Sequence, residues 1–310
     1  MQAITFDKFG GPDVLHLSDV AEPHAASGQV RVKVKTVGIN PFEIKVRAGA
    51  MEAMFKTALP AVLGNELAGV VDEVGEGVTA FKVGDEVVGW SDSGAYAAFA
   101  VATTVALKPT TLAWDAAVAV PVAAETAQRG LTLLAVRSGD TVLIHGGAGV
   151  VGAMAVQLAV ELGATVIATA SEDNHDFLRS IGARPLSYGP GLVARVAALE
   201  LPTKPGAPYG IDAIFDAAGK GALPDSLALR GSNERVLTIA DPEAHKLGVT
   251  FAAGTAQDRS AAALAAVLQK VVDGKVAVAV AARFPLAEAA AAHAMSAKGH
   301  HRGKIVLVVS

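Results

Sequence analysis

Residues 141–152 read TVLIHGGAGVVG, an apolar run that breaks into Gly147-x-Gly149-x-x-Gly152 and resumes as small apolar residues with a helical period. Glycines at this spacing allow a tight turn and a close approach of the backbone to a pyrophosphate, whose charge then sits on free N–H groups at a helix N-terminus. The chemistry offered by Gly147, Ala148, Gly149, Val150, Val151 and Gly152 is phosphate binding; a tight turn without a ligand is the alternative. A strand before the loop and a helix after it favour the first.

The next strand in order, TVIATA, ends at Ser171. A site that prefers NAD carries an acid about 20 residues beyond the glycines to hold the ribose hydroxyls. Ser171 presents a hydroxyl without charge and tolerates a ribose 2'-phosphate, which favours NADP(H); Glu172 and Asp173 oppose this if either turns inward. No lysine or arginine follows at once, and Arg302 near the C-terminus is the candidate for the missing cation.

A second polar feature sits in LPAVLGNELAGVVDEVG, residues 59–75, where Asn65 and Glu66 interrupt a small apolar run. A buried carboxylate needs a partner, so Glu66 calls for a cation, a metal, a ligand or exposure. Asn40 precedes Pro41, and its amide either hydrogen-bonds a substrate carbonyl or forms an Asn–Pro turn. The chain has no cysteine, which removes disulfides, thiolate zinc sites, iron–sulfur clusters and cysteine nucleophiles together. Its eight histidines lack the helical i, i+4 spacing of a zinc pair with a matching glutamate; His145 ends a strand, and His300 and His301 are neighbours that point apart.

Positioning these groups takes two kinds of element. Up to about residue 110 the chain is strand-like and glycine-punctuated: QVRVKVKTVGI (29–39) alternates, GVVDEV (69–74) and DEVVGW (85–90) are β-branched, and only PFEIKVRAG (41–49) suits a helix. From about residue 114 the period changes. WDAAVAVPVAAETAQRGLTLL reads as a helix kinked at Pro121, and strands then alternate with helices, which implies a parallel sheet covered on both faces. Gly219 in FDAAG, and Ile239 with Ala240 in RVLTIA, end two further strands, at the carboxyl edge where open parallel sheets bind ligands. After residue 258 one long helix leads to strands ending in IVLVV, which needs a sheet to join and predicts a return to the first domain.

The 310 residues suffice for about two domains. A net charge of -4 and 52% hydrophobic residues point to neither a nucleic-acid surface nor an acidic tail, and the apolar runs are too short to span a membrane. The N-terminus, MQAITFDKFGGPDVL, reads as a strand and a turn without signal-peptide character, so a cytoplasmic protein is expected.

Taken in order, FGGPDVL, GINPFEIKVRAG, LPAVLGNELAGVVDEVGEGVTAFKVGDEVVG, GAYAAFAV, AVPVAAETA, HGGAGVVG, ATAS, FDAAG and GKIVLVV resemble the zinc-independent quinone oxidoreductase branch of the medium-chain dehydrogenase/reductases over nearly the whole chain. The resemblance implies an α/β protein: a discontinuous GroES-like domain (1–119 and 254–310), a Rossmann NADP-binding domain (120–253), a cleft between them, and a dimer or tetramer, of which a homodimer is expected here. Asn40 and Asn65 resemble positions that hold a cysteine and a histidine ligand in zinc-dependent relatives, so no zinc is expected. Glu66 then becomes a structural acceptor for neighbouring backbone or a basic side chain. Lys45 is similar in place to a cleft residue that polarises a carbonyl or relays a proton, a solvated lysine being the alternative. Arg47 matches a family arginine, although a salt bridge with Glu43 explains it as well. Thr126 resembles the threonine that contacts the nicotinamide carboxamide, or else bonds its own helix backbone. Tyr188 resembles the tyrosine near the 2'-phosphate, with a turn aromatic as the alternative. Phe251 closes the nicotinamide side or fills the core. Ala98 stands where the family commonly has glutamate.

The expected activity is NADPH-dependent, zinc-free hydride transfer to quinones or α,β-unsaturated carbonyls. A nucleotide sensor without turnover and an enoyl-thioester reductase are the alternatives. An alcohol dehydrogenase would lack its metal activator.

Overall fold

In VRVKVKTVGI valines alternate with basic residues, and this period of two sets one face of a strand against a core. The computed structural model, which describes every residue except Phe55, His300 and Ser310, buries Val30, Val32 and Val34 and turns Arg31, Lys33 and Lys35 outward. The reading of His300 thus lies outside the described residues.

The chain opens with β1 (Gln2–Phe6), β2 (His16–Asp19), β3 (Val30–Ile39), α1 (Pro41–Arg47), β4 (Ala61–Val62), β5 (Glu66–Val74), β6 (Glu86–Trp90), β7 (Phe99–Ala102), β8 (Val105–Leu107) and α2 (Trp114–Val118). It continues through α3 (Pro121–Leu133), β9 (Thr141–His145), α4 (Val150–Glu161), β10 (Thr165–Ala170), α5 (His175–Ser180), β11 (Ala183–Ser187), α6 (Leu192–Ala197), β12 (Ala213–Asp216), α7 (Leu223–Arg230), β13 (Val236–Thr238) and β14 (Thr250–Phe251). It closes with α8 (Ala261–Val272), β15 (Val280–Pro285), α9 (Ala289–Lys298) and β16 (Lys304–Val308).

Two compact units result: Met1–Val122 with Arg259–Ser310, and Ala123–Asp258. In the first, β16 pairs antiparallel with β3, Ile305 opposite Ile39, so the apolar terminal strand completes a sheet ordered β15-β16-β3-β5-β6-β8, with β7 also pairing β3. Its core gathers Phe6, Val32, Val37, Leu67, Val87, Tyr96 and Leu307. In the second, six parallel strands follow the order β11-β10-β9-β12-β13-β14, the doubly wound arrangement in which the first strand lies centrally. Its strands are buried on both faces and read as continuous apolar runs: Leu143, Ile144, Ile167, Ile214 and Phe215 are each at 0% exposure.

Two element readings change. The helix expected to kink at Pro121 is two helices, because Pro121 opens α3, where its missing N–H has no partner to lose. The C-terminal segment also holds a further helix, α9, whose sequence AAAAHAMSAK has helix-forming alanines but no amphipathic stripe to mark it.

Candidate functional site

The glycine loop in the second unit is a cradle that side chains would fill. Gly146 takes a left-handed φ of +72°; a Cβ on Gly152 would lie 2.1 Å from the Gly146 carbonyl oxygen, and one on Gly147 would lie 2.6 Å from the Ala168 Cβ. Gly149 sits at the N-cap of α4 and has no side chain to cap it. The first-turn amides of Val150, Val151 and Gly152 are therefore donors without an intrahelical acceptor. The residues fit a pyrophosphate. The positive φ falls on Gly146, the first of the doubled glycine in HGG and one residue before the spaced triplet.

Below the loop runs a buried polar chain that was not anticipated. Ser226 Oγ donates to the Ala222 carbonyl at 2.7 Å, so toward His145 it can only accept, which places the ring proton on Nε2 at 3.0 Å. Nδ1 is then an acceptor for the Thr169 hydroxyl at 3.3 Å, and Thr169 in turn faces the Gly146 amide. Burial lowers the His145 pKa, against the opposing charges of Asp216 and Asp225.

At the strand ends, Ala170 of β10 is level with Ser187 of β11, so Ser171 and Tyr188 extend adjacent strands. Ser171 Oγ accepts from Asn174 Nδ2 at 2.9 Å, while Glu172 and Asp173 are exposed. Tyr188 is 55% exposed, on a loop that Arg195 grips through the carbonyls of Ser187, Gly189 and Pro190. Gly219 and Ala240 meet, since a Cβ on Gly219 would lie 2.6 Å from that of Ala240. Buried Asp216 fixes both ends: it accepts from the Ala218 and Gly219 amides and from Thr238 Oγ1, and Thr238 Oγ1 accepts from the amides of Ala240 and Asp241. Ile239 lies between them, directly after β13.

Thr126 donates to Glu125 Oε2 at 3.1 Å, so it does not bond its own helix backbone as the alternative reading had it. Phe251, in the edge strand β14, is 38% exposed, which removes it from the core. Arg302 is exposed just before β16, in the first unit.

Also in the first unit, Glu66 is fully buried and its partner is Lys304, 1% exposed and 238 residues away in sequence. Lys304 Nζ lies 2.5 Å from Glu66 Oε1 and 2.7 Å from Asn40 Oδ1; Asn40 Nδ2 donates to Glu66 Oε1 at 3.0 Å, and the Val122 amide donates to Glu66 Oε2 at 2.9 Å. This corrects the reading of Asn40 as a substrate donor, because both ends of its carboxamide are already engaged inside the protein. Glu43 accepts from the amides of Asn40 and Asn65, and burial, reinforced by the Glu66 charge, pushes its pKa up to about 7. Glu43 is thus not the partner of Arg47. The Arg47 guanidinium instead donates to the Gly10 carbonyl and to His293 Nδ1, and His293 Nε2 meets Tyr96 Oη at 2.9 Å. Lys45 is half-buried on α1 and forms no ion pair among the described residues.

This cluster does not fit a zinc ion. Asn40 and Asn65 offer neutral amides rather than thiolate or imidazole donors, and the Lys304 ammonium already sits between Asn40 and Glu66, where a dication would meet like charge. Among the described residues, no three His, Cys, Asp or Glu side chains converge to hold a metal, and no helix is long and apolar enough to cross a membrane.

The family "Alcohol dehydrogenase GroES-like domain" matches residues 26–113, and "Zinc-binding dehydrogenase" matches residues 194–307. Mouse quinone oxidoreductase is 33% identical over 100% of this chain and 98% of its own length. The Arabidopsis thaliana protein named NADPH-dependent alkenal/one oxidoreductase is 31% identical over 99% of this chain and 79% of its own length. The solved quinone oxidoreductase from Coxiella burnetii superposes with a TM-score of 0.87 at 32% identity, covering 100% of this chain and 99% of the other. With a curated relative matched end to end and both domain families present, the chain belongs to the quinone oxidoreductase family of the medium-chain dehydrogenase/reductases.

Proposed function

We propose that the chain is an NADPH-dependent, zinc-free reductase of quinones or α,β-unsaturated carbonyls. The observation that carries the nucleotide half is the turn from Gly146 to Gly152, too tight for any side chain at Gly152 and opening on uncapped helix amides. The uncharged Ser171 at the end of β10, with Glu172 and Asp173 exposed, supports the 2'-phosphorylated form. The names of the mouse and Arabidopsis relatives support the substrate class.

When bound, the nicotinamide supplies the hydride. The amides of Val150, Val151 and Gly152 hold the pyrophosphate, with Gly147, Ala148 and Gly149 shaping the turn. Ser171 and Tyr188 serve the phosphorylated ribose, with Arg302 the candidate cation for its phosphate. Gly219, Ile239 and Ala240 form the floor at the carboxyl edge, and Thr126 and Phe251 serve the nicotinamide end. Lys45 donates to the substrate oxygen as negative charge develops there, which is the main electrostatic task of such a reduction, and Lys45 or solvent then protonates the enolate. Asn40 takes no part beyond holding Lys304 and Glu66 in place. The accompanying expectation is a cytoplasmic homodimer.

The test is NADPH consumption by chelator-treated protein with a simple quinone, a small enone, and a primary alcohol/NADP pair. Chelator-resistant turnover of quinone or enone supports the proposal. Loss of that turnover on chelation, or activity confined to the alcohol, refutes it. Lys45→Ala is expected to lower enone turnover at least tenfold, and unchanged turnover would remove its role.

A further inference from the structure

The second unit contains a charged pair that the proposed mechanism does not use. On α3, Arg129 Nε lies 2.5 Å from Glu125 Oε1, and the two side chains are 12% and 11% exposed. Exposed i, i+4 pairs are common and weak, but this one is nearly buried and reaches further. Arg129 Nη1 donates to the Ala252 carbonyl at 2.5 Å, directly after Phe251, and Nη2 reaches Glu125 Oε2 at 3.4 Å. A Cβ on Gly254 would lie 2.8 Å from Arg129 Nη2, so the chain after β14 runs close beside the guanidinium. Asp258, the other carboxylate that feels this charge, is held by the amide and hydroxyl of Thr255.

On the other side of the pair, Glu125 Oε2 accepts a hydrogen bond from the Thr126 hydroxyl at 3.1 Å. A hydroxyl has one proton and two lone pairs. With its proton directed to Glu125, Thr126 Oγ1 offers only acceptor capacity, the match for a carboxamide NH2. Without Glu125 the hydroxyl is free to turn back on its helix carbonyls.

We infer that Glu125 and Arg129 are positioning residues for the nicotinamide end of the cofactor: Glu125 sets the hydroxyl of Thr126 as an acceptor, and Arg129 fixes Glu125 while strapping α3 to the segment after Phe251. The inference rests on the NADPH reading above. It joins two residues assigned to the nicotinamide, Thr126 and Phe251, through one chain of contacts between elements more than 100 residues apart in sequence.

The test compares NADPH with 2',5'-ADP, which keeps the phosphorylated adenosine half and lacks the nicotinamide, in equilibrium binding titrations. Glu125→Leu and Thr126→Val are each expected to weaken NADPH about tenfold, the scale of about 1.4 kcal/mol, and to leave 2',5'-ADP within about twofold. The double variant should be no weaker than Thr126→Val alone, since both changes remove the same interaction. Arg129→Lys should retain part of the effect that Arg129→Met loses. Equal weakening of both ligands, additive effects in the double variant, or unchanged NADPH affinity would overturn the assignment while leaving the cofactor reading intact. Wild-type protein that binds 2',5'-ADP and NADPH equally would overturn it as well, and wild-type protein that binds neither would overturn both readings.

Discussion

Replacing Lys304 by methionine removes an ammonium and keeps most of the side-chain volume. Glu66 would then remain at 0% exposure with only the Asn40 amide and the Val122 N–H as donors. Removing one partner of a buried ion pair costs about 3–5 kcal/mol, because the other charge is left uncompensated. At about 2–4 °C per kcal/mol for a domain of 150–250 residues, the midpoint should fall by roughly 6–20 °C. Both tryptophans, Trp90 and Trp114, lie in the first unit, so fluorescence during urea unfolding reports on the unit that holds the cluster. Lys304→Met with Glu66→Gln should be clearly less destabilised than the sum of the single changes, as expected for groups in direct contact. A Lys304→Met variant within about 1 kcal/mol of wild type, or strictly additive effects, would refute the claim that this pair ties the unit together.

The same cluster predicts a pH signature. Glu43 is raised from 4.5 to about 7, mainly by burial, so the native state binds its proton more readily than the unfolded chain. Its contribution is therefore fully present below pH 4.5 and lost as pH rises through about 7. Glu43→Gln should flatten the stability profile across that window, and an unchanged slope would show that Glu43 does not hold a proton there.

His293 behaves oppositely: burial, and then the Arg47 charge, lower it from 6.5 to about 3, so its contribution is present above 6.5 and lost as pH falls toward 3. His293→Asn should flatten that acid limb in pH-dependent urea unfolding. His145 is also lowered, mainly by burial, so its contribution to stability is present above the ordinary histidine range and lost as pH falls below it; His145→Asn should flatten that part of the acid limb in urea unfolding, and an unchanged limb would refute the assignment. Gly152→Val should abolish measurable NADPH binding, because even its Cβ would lie 2.1 Å from a backbone oxygen; retained affinity would contradict the cradle. If β14 pairs two copies of the second sheet, Thr250→Pro should shift the molecular mass by light scattering from dimer to monomer, whereas a wild-type monomer would refute the pairing.

What was legible in the sequence follows from how local each signal is. The glycine loop, the alternating strand β3 and the change of period near residue 114 are written in adjacent residues, and each element formed where its pattern lies. The apolar IVLVV demanded a sheet, and β16 supplied the missing neighbour of β3. The partner of Glu66 was not legible in this way. Lys304 stands at the head of that terminal strand in the ordinary-looking string GKIVLVV, and only the pairing of Ile305 with Ile39 carries its side chain to Asn40. The same holds for Arg129 and Ala252, for His145 and Ser226, and for Arg47 and His293, where the i, i+4 rule pointed to Glu43 and burial redirected both residues. Asn40 was misassigned for a related reason. An amide beside a proline looks available to a ligand until the topology brings a buried ammonium to its oxygen and the carboxylates of Glu43 and Glu66 to its nitrogen, and an NH2 with both protons so engaged has no donor left to turn toward a substrate.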